Sequence, residues 1–429
     1  MTRLNLQSSS KEFDMAKVSW ADRPFAPHFE KVQAELASES SPIFTQLFGD
    51  KGVASDESGA LSGALVSIKS TFDVCGYGTS GGSTLLGLEP ASHDAVAVQR
   101  LKASGATLVG HTNMTELAYS GLGMNPHFGT PENPLFAGCI PGGSTSGGAV
   151  SVAKGYADIA LGTDTGGSLR IPAAFCGLTG FKPSQSSTPR EGCLPLSFAL
   201  DSVGPMAKTV AECQSAWEVL ANKKALDMAP EEIEFVIPTN FGFADIEAGI
   251  QDLFDHAVAK IQGAGFKVSY AHLDLLERYQ TLPVWHFSAV ESRRFYQDKF
   301  DLESVKLDPR VRSRIKKGEN VTDEVFAATE QARNELAAEY AQCFSNKVIL
   351  MPTVVISSPS LSSLAQDAEY DRINLLCLRN TTVANVLNGC SISLPHQFAS
   401  TLGGILLTMP SGQDSELLAI ASQLEQALA

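Results

Sequence analysis

The segment 142–184, GGSTSGGAVSVAKGYADIALGTDTGGSLRIPAAFCGLTGFKPS, constrains this chain more than any other. It sets two serines, Ser144 and Ser168, in glycine-rich turns at either end of one strongly patterned stretch. Residues 149–156 are predicted to form a short helix leaving Ser144, and residues 158–163 a strand that comes back. At a rise of roughly 1.5 Å per helical residue and roughly 3.3 Å per strand residue the legs span roughly 12 and 20 Å in opposite directions, so with the turn residues that flank them the serines can meet. Glycine in such turns permits positive φ and close backbone approach, which leaves amide N–H groups free to point at a ligand.

Around this segment the periodicity alternates. Strands are predicted at 63–71, 106–110, 232–237, 266–273, 348–355, 391–394 and 405–408, and helices at 91–104, 209–222, 247–263, 370–387 and 415–428. Thr322, followed by Asp323 and Glu324, is a credible N-cap for a long helix ending near Ser345. The pattern predicts an α/β fold: a single large domain, residues 1–429, with a mixed twisted sheet flanked by helices. Residues 1–60 are expected to be a helical N-terminal segment ending in a polar loop. Residues 111–130 form a polar loop beside the core, and 194–206 a connection into the next helix. Residues 275–320, rich in aromatics and charges, are expected to be an irregular cap over a site.

Composition narrows the function classes. A formal net charge of −15 argues against a polyanionic partner such as nucleic acid. The local exception, Arg310, Arg312, Arg314, Lys316 and Lys317, reads as a solvated helix face. The first twenty residues lack the apolar run of a signal peptide and no later stretch has the length of a membrane span, so a cytoplasmic protein is expected. The eight cysteines are scattered without a Cys-x-x-Cys pair, which indicates neither a disulfide framework nor a zinc ribbon. Most of them read as buried small hydrophobes. Gly76, Gly78 and Gly81 match G-x-G-x-x-G formally, but the stretch runs on into turn residues instead of opening a helix, and no Walker A motif is present.

A serine needs a base to become a nucleophile. Neither Ser144 nor Ser168 stands in a G-x-S-x-G elbow and no histidine points to one, although a distant Ser-His-Asp arrangement stays open. Lysine is the alternative base if burial and hydrogen bonding bring its pKa down from roughly 10.4 toward neutrality. Lys69, at the end of an apolar strand, is the best candidate; its bland reading is a side chain that reaches from a strand end to solvent. Equally, a serine in a glycine-rich turn is by itself an ordinary turn residue.

The runs VSIKST, HTNMTE, GGSTSGG, GTDTGGSLRIPAAFCGLTGFKPS and LDSVGPMAKTV, in that order, resemble the amidase signature family. The likeness spans about residues 63–208 and resumes more faintly at 394–424. The resemblance implies a triad of a lysine, a serine held by a cis peptide bond and a nucleophilic serine. Carried over by position, these are Lys69, Ser144 and Ser168. Thr165, Gly166, Gly167 and Ser168 match the loop whose N–H groups form the oxyanion hole, and Asn113 and Met114 fall in the segment that flanks the substrate. Asp164 and Arg170 flank the nucleophile and are expected to pair and hold the loop. Two departures stand out: Ser70 follows the lysine where the family commonly has Asp, and Thr145 lies in the glycine loop.

The expected function is a cofactor-free, metal-free amidohydrolase acting through an acyl-enzyme on a small-molecule amide, urea or carbamate. Two alternatives stay open: the ammonia-generating A-type subunit of a tRNA-charging amidotransferase, and a non-catalytic anion-binding or partner-docking scaffold. A homodimer is one assembly open to the chain. Candidate pocket residues are Tyr119, the 279–295 region with Trp285 and His286, and the loop 357–370.

Overall fold

The computed structural model describes residues 18–428 except 19, 50–51, 55–57 and 227–232. Most of the N-terminal stretch that lacks a signal-peptide run, part of the polar loop near residue 50 and the first residue of the strand predicted at 232–237 lie outside the described residues. Eleven strands build one sheet: β1 (Phe44–Leu47), β2 (Leu65–Lys69), β3 (Thr107–Thr112), β4 (Ile159–Asp164), β5 (Thr179–Lys182), β6 (Ser202–Ala207), β7 (Glu234–Pro238), β8 (Lys267–Ala271), β9 (Lys347–Pro352), β10 (Cys390–Phe398) and β11 (Thr401–Met409). Their spatial order is β1-β3-β2-β4-β6-β5-β10-β11-β9-β7-β8. The sheet is mixed: β2 pairs parallel with β3 and β4, and β7 parallel with β8 and β9, while β4–β6, β5–β6, β5–β10 and β10–β11 are antiparallel.

Twelve α-helices are described: α1 (Phe25–Ser38), α2 (Val96–Ala103), α3 (Ser146–Ala153), α4 (Arg170–Cys176), α5 (Val210–Ala221), α6 (Ala248–Gly263), α7 (Asp274–Thr281), α8 (Trp285–Tyr296), α9 (Pro309–Lys317), α10 (Asp323–Cys343), α11 (Asp367–Val386) and α12 (Asp414–Leu428). Strand alternation shows how they divide between the faces of the sheet. In β4, Ile159 and Leu161 join the core that contains residues of α2, α5, α6 and α12, whereas Ala160 packs with α3 and α4. Both faces are therefore covered, which is why the central strands are apolar without a polar side. No helix among the described residues is long and apolar enough to cross a membrane.

Several expectations need correction. The helix predicted at 149–156 begins at Ser146, because Gly147 and Gly148, poor helix formers, are held in the first turn by tertiary contact; the Gly147 N–H donates to the Asn113 carbonyl at 2.9 Å. The region 275–320 is helical rather than irregular, carrying α7, α8 and α9. Its periodicity is thin because α9 buries only Val311 and Ile315 amid five basic residues. The connection at 194–206 ends in strand β6, and α4 and β5 follow the nucleophile turn. Gly204 and Pro205 mask β6 as a turn, yet a Cβ at Gly204 would lie 2.3 Å from the Phe181 carbonyl oxygen, so close strand packing selects glycine there. Only four of the eight cysteines, 176, 213, 377 and 390, are buried. The basic run on α9 is largely ion-paired, Arg310 with Asp367, Arg314 with Asp371 and Lys316 with Glu303. The expected cap at Thr322 holds, its hydroxyl accepting from the Val325 N–H, and Thr209 completes a reciprocal capping box with Glu212.

Candidate active site

All five residues of β2 are buried, and Lys69 ends the strand with none of its surface exposed. Its Nζ lies 2.8 Å from Ser144 Oγ and 2.7 Å from Thr163 Oγ1, at the end of the neighbouring strand β4. No carboxylate among the described residues forms an ion pair with it. Burial is the dominant influence and pushes the ammonium down to about 8, against smaller opposing effects of the Cys193 thiol, Asp201 and Asp164. A lysine in this setting is about one-tenth neutral at pH 7.

Ser144 stands two residues before α3, and the Gly143–Ser144 peptide is cis. Its carbonyl accepts from the Thr115 N–H at 3.1 Å, and the next residue, Thr145, donates its N–H to the Ser168 carbonyl at 3.3 Å. The two glycine turns thus meet, closing the loop of chain that runs out through α3 and back through β4. Ser168 sits in the turn between β4 and α4 with 4% of its surface exposed. Two departures noted in the sequence, Ser70 and Thr145, leave their hydroxyls buried without a hydrogen-bond partner in the structure.

The turn at 165–168 is held from three sides. Asp164, fully buried, receives a two-pronged contact from Arg170, with Nη2 2.7 Å from Oδ1 and Nε 3.0 Å from Oδ2. Burial by itself would raise the Asp164 carboxyl, but the guanidinium overrides it and holds the pKa at about 2. From α11, Thr381 and Thr382 donate their hydroxyls to the Gly166 carbonyl at 2.5 and 3.0 Å, and Asn385 donates to Asp164. From beside β6, Asp201 accepts the Thr165 hydroxyl at 2.5 Å while its other oxygen accepts the N–H groups of Leu196 and Ser197. Glu291 of α8 accepts the Ser197 hydroxyl, linking this chain of contacts to the 275–320 region.

Of the four loop residues expected to supply amide donors, Gly167 departs from expectation: its N–H donates to Asp164 Oδ1 at 2.8 Å. The N–H groups of Thr165, Gly166 and Ser168 have no acceptor in the protein among the described residues. Gly167 is required for another reason. It has φ +137, and a Cβ there would lie 2.2 Å from Thr381 Oγ1.

Asn113 and Met114, expected in the segment that flanks the substrate, point into the protein. Both are fully buried, and the Asn113 amide is spent on backbone: Nδ2 donates to the carbonyls of Pro42 and Gly129, and Oδ1 accepts the Met114 N–H. Asn113 holds loops together, which a polar side chain in a polar loop does not announce in advance. Tyr119 is also buried, and its hydroxyl donates to the Ser288 carbonyl of α8 at 2.9 Å and lies 2.7 Å from Ser292 Oγ. Burial raises its phenol above the ordinary value. Around it Leu117, Ala118 and Ser120 adopt φ of 50, 63 and 91, a left-handed backbone that costs on the order of 1 kcal/mol for each non-glycine residue. The segment is fastened by Tyr370, which donates to Ser120 Oγ, and by Gly121, whose carbonyl accepts from Gly143.

Among the remaining candidates, Trp285 is exposed, and His286 is buried against Thr329 of α10, 2.9 Å away. The 357–370 loop packs on Ile140, whose carbonyl accepts the Ser358 hydroxyl. Sequence reasoning missed Thr163, Asp201, Thr381 and Asn385. The last two belong to a buried polar stripe on α11, Asn380, Thr381 and Asn385, which was a readable signal because buried helix positions are ordinarily apolar.

Comparison with known proteins identifies the family. Over 378 residues the chain is 31% identical to 2-amino-5-chloromuconic acid deaminase of Comamonas testosteroni, covering 86% of this chain and 82% of that protein. It is 29% identical over 420 residues to the A-type subunit of glutamyl-tRNA(Gln) amidotransferase from Chromohalobacter salexigens, covering 88% and 85%. A crystal structure described as an amidase superposes with a TM-score of 0.78 at 28% identity, covering 87% of this chain and 86% of that one. The model of the amidase family matches residues 46–418, and the chain belongs to that family.

Proposed function

We propose that the chain hydrolyses a carbon–nitrogen bond of a small amide, urea or carbamate through an acyl-enzyme on Ser168, releasing ammonia or an amine. The observation that carries this reading is Lys69: a lysine buried without a counter-ion, its Nζ 2.8 Å from Ser144 Oγ, beside a serine turn with unclaimed N–H groups. Neutral Lys69 takes a proton from Ser144, Ser144 takes one from Ser168, and the Ser168 oxygen attacks the carbonyl carbon. The N–H groups of Thr165, Gly166 and Ser168 receive the developing oxyanion, each well-placed donor contributing roughly 3 to 4 kcal/mol. The relayed proton passes back through Ser144 to the departing nitrogen, and water then cleaves the ester. Asp164 and Arg170 keep the turn in shape, and helices α7–α9 form the rim through Tyr119 and Glu291.

The test is a panel of amides, ureas and carbamates assayed for ammonia or amine release. Ser168→Ala lowers turnover by at least about 10⁴-fold, and mass spectrometry finds the acyl adduct on the Ser168 peptide; an adduct on another residue refutes the assignment. The amidotransferase relatives support a second reading, in which the chain is a glutaminase component of a larger complex. That reading requires glutamine to be the preferred substrate and turnover to depend on further subunits.

A further inference from the structure

A second feature lies across the sheet from the nucleophile. A cleft of about 770 Å³ is floored by Thr163 and Val203 and walled by the loop 185–198, with Arg100 of α2 and Lys223 at its edge. Val203 belongs to the core on the α2 and α5 face, and Thr163 shares the strand parity of Ile159 and Leu161, which lie on that same face. Lys69 has the opposite disposition: Ser67, two residues earlier, meets Ser151 of α3 at 2.8 Å. The cleft therefore reaches Thr163, whose hydroxyl lies 2.7 Å from Nζ, and Asp201, which accepts the Thr165 hydroxyl.

Its charge is unusual for this protein. The chain has 47 acidic against 32 basic residues, and several arginines elsewhere, among them Arg23, Arg278, Arg293 and Arg310, are ion-paired, whereas Arg312, Arg333 and Arg379 bond to carbonyl or amide oxygens. In the cleft, Arg190 donates Nη1 to the Phe198 carbonyl at 2.7 Å, and Arg100 donates Nη1 to the Leu220 carbonyl. Among the described residues none of Arg100, Arg190 and the exposed Lys223 has a carboxylate ion-pair partner, although the Arg190 charge acts on Asp201. Two carboxylates also line the cleft. Asp201 is already committed to Thr165, Leu196 and Ser197, and Glu191 is exposed at the edge. A guanidinium pinned by a backbone carbonyl keeps its remaining N–H groups in a fixed fork that matches an oxyanion, and a concave wall concentrates the field of unneutralised cations.

We propose that this cleft binds a compact oxyanion, a carboxylate or a phosphate, on Arg100, Arg190 and Lys223, and that the bound anion slows turnover through Thr163 and Lys69 without entering the substrate pocket. Lys69 faces Ser144 and Thr163 directly and experiences Asp164 from β4, Asp201 from beside β6 and the Cys193 thiol from the walling loop. A further negative charge behind Thr163 favours the protonated lysine, which cannot accept a proton from Ser144. The binding half of the proposal stands without any assumption about catalysis; the rate half rests on Lys69 being the base.

Calorimetric titration of the full chain with succinate, and separately with inorganic phosphate, in low-salt buffer tests the binding half and distinguishes the two sources of the oxyanion. One saturable site for either probe is expected, with affinity reduced about tenfold in Arg190→Gln and in Arg100→Gln, as for loss of a charge-assisted hydrogen bond. Lys223→Glu, an exposed change that disturbs no packing, is expected to weaken binding similarly and serves if an arginine variant fails to fold. No saturable binding of either probe, or unchanged affinity in Lys223→Glu and the folded arginine variants, overturns the site. In steady-state assays the bound probe lowers kcat at constant KM; a purely competitive pattern would put the anion in the substrate pocket and overturn the proposal.

Discussion

Replacing Lys69 by Met tests the electrostatic core of the site directly. In the unfolded chain this amine holds its proton up to the ordinary value of 10.5, whereas in the fold it releases it near 8. Between those values the unfolded state binds more protons than the folded one, so stability rises with pH across the window and is lowest, by a constant amount, below it. The gap corresponds to about 3 kcal/mol. Methionine is unbranched, similar in length and uncharged, so the variant lacks this pH-dependent penalty. It also gives up hydrogen bonds to Ser144 and Thr163, worth about 1 kcal/mol each and independent of pH in this range. Near neutral pH the variant is therefore expected to be more stable than the parent by about 1 kcal/mol, and above about pH 10.5 less stable by about 2 kcal/mol. Urea unfolding of both proteins at several pH values between those limits measures the difference, in which every other titrating group cancels. The variant should be inactive throughout. Parallel stability curves would show that Lys69 keeps its ordinary pKa in the fold and would remove the physical basis for its acting as a base.

Two further outcomes follow from the same geometry. Because only neutral Lys69 accepts a proton, kcat/KM should climb about tenfold per pH unit up to about 8 and then level off; a profile flat from pH 6 to pH 9 contradicts the relay. Gly167→Ala places a methyl group 2.2 Å from Thr381 Oγ1 at φ +137, and should cost about 3 kcal/mol or more of stability together with nearly all activity; a thermal melt matching the parent protein would show that the turn is not clamped as described.

The elements with strong period were legible from the chain alone. Helices α5, α6, α10 and α12 and strands β2, β4 and β9 lie within a few residues of where apolar spacing and caps put them, since those signals are carried by residues close in sequence. The segments that were misread share a cause. The residues of α3, β5 and β6 include glycines or a proline placed for close packing, and local propensity reads such residues as turns. Helices α7 and α9 carry so few buried side chains that charge and aromatic density hid their period.

The same division runs through the site. Residue type and order along the chain were enough to set out the chemical inventory: two serines in glycine turns, a lysine ending an apolar strand, and an acid–base pair around the nucleophile. Which of these groups can react depends on how distant segments pack. The fold buries Lys69 beyond the reach of counter-ions, brings Thr163 and Ser144 to its nitrogen, and commits the Gly167 N–H and the Asn113 amide to structural bonds. It also turns Thr381, Asn385 and Asp201, far apart in the chain, onto one loop. Desolvation and most of this hydrogen-bond allocation arise between segments well separated along the chain, and no local pattern encodes them.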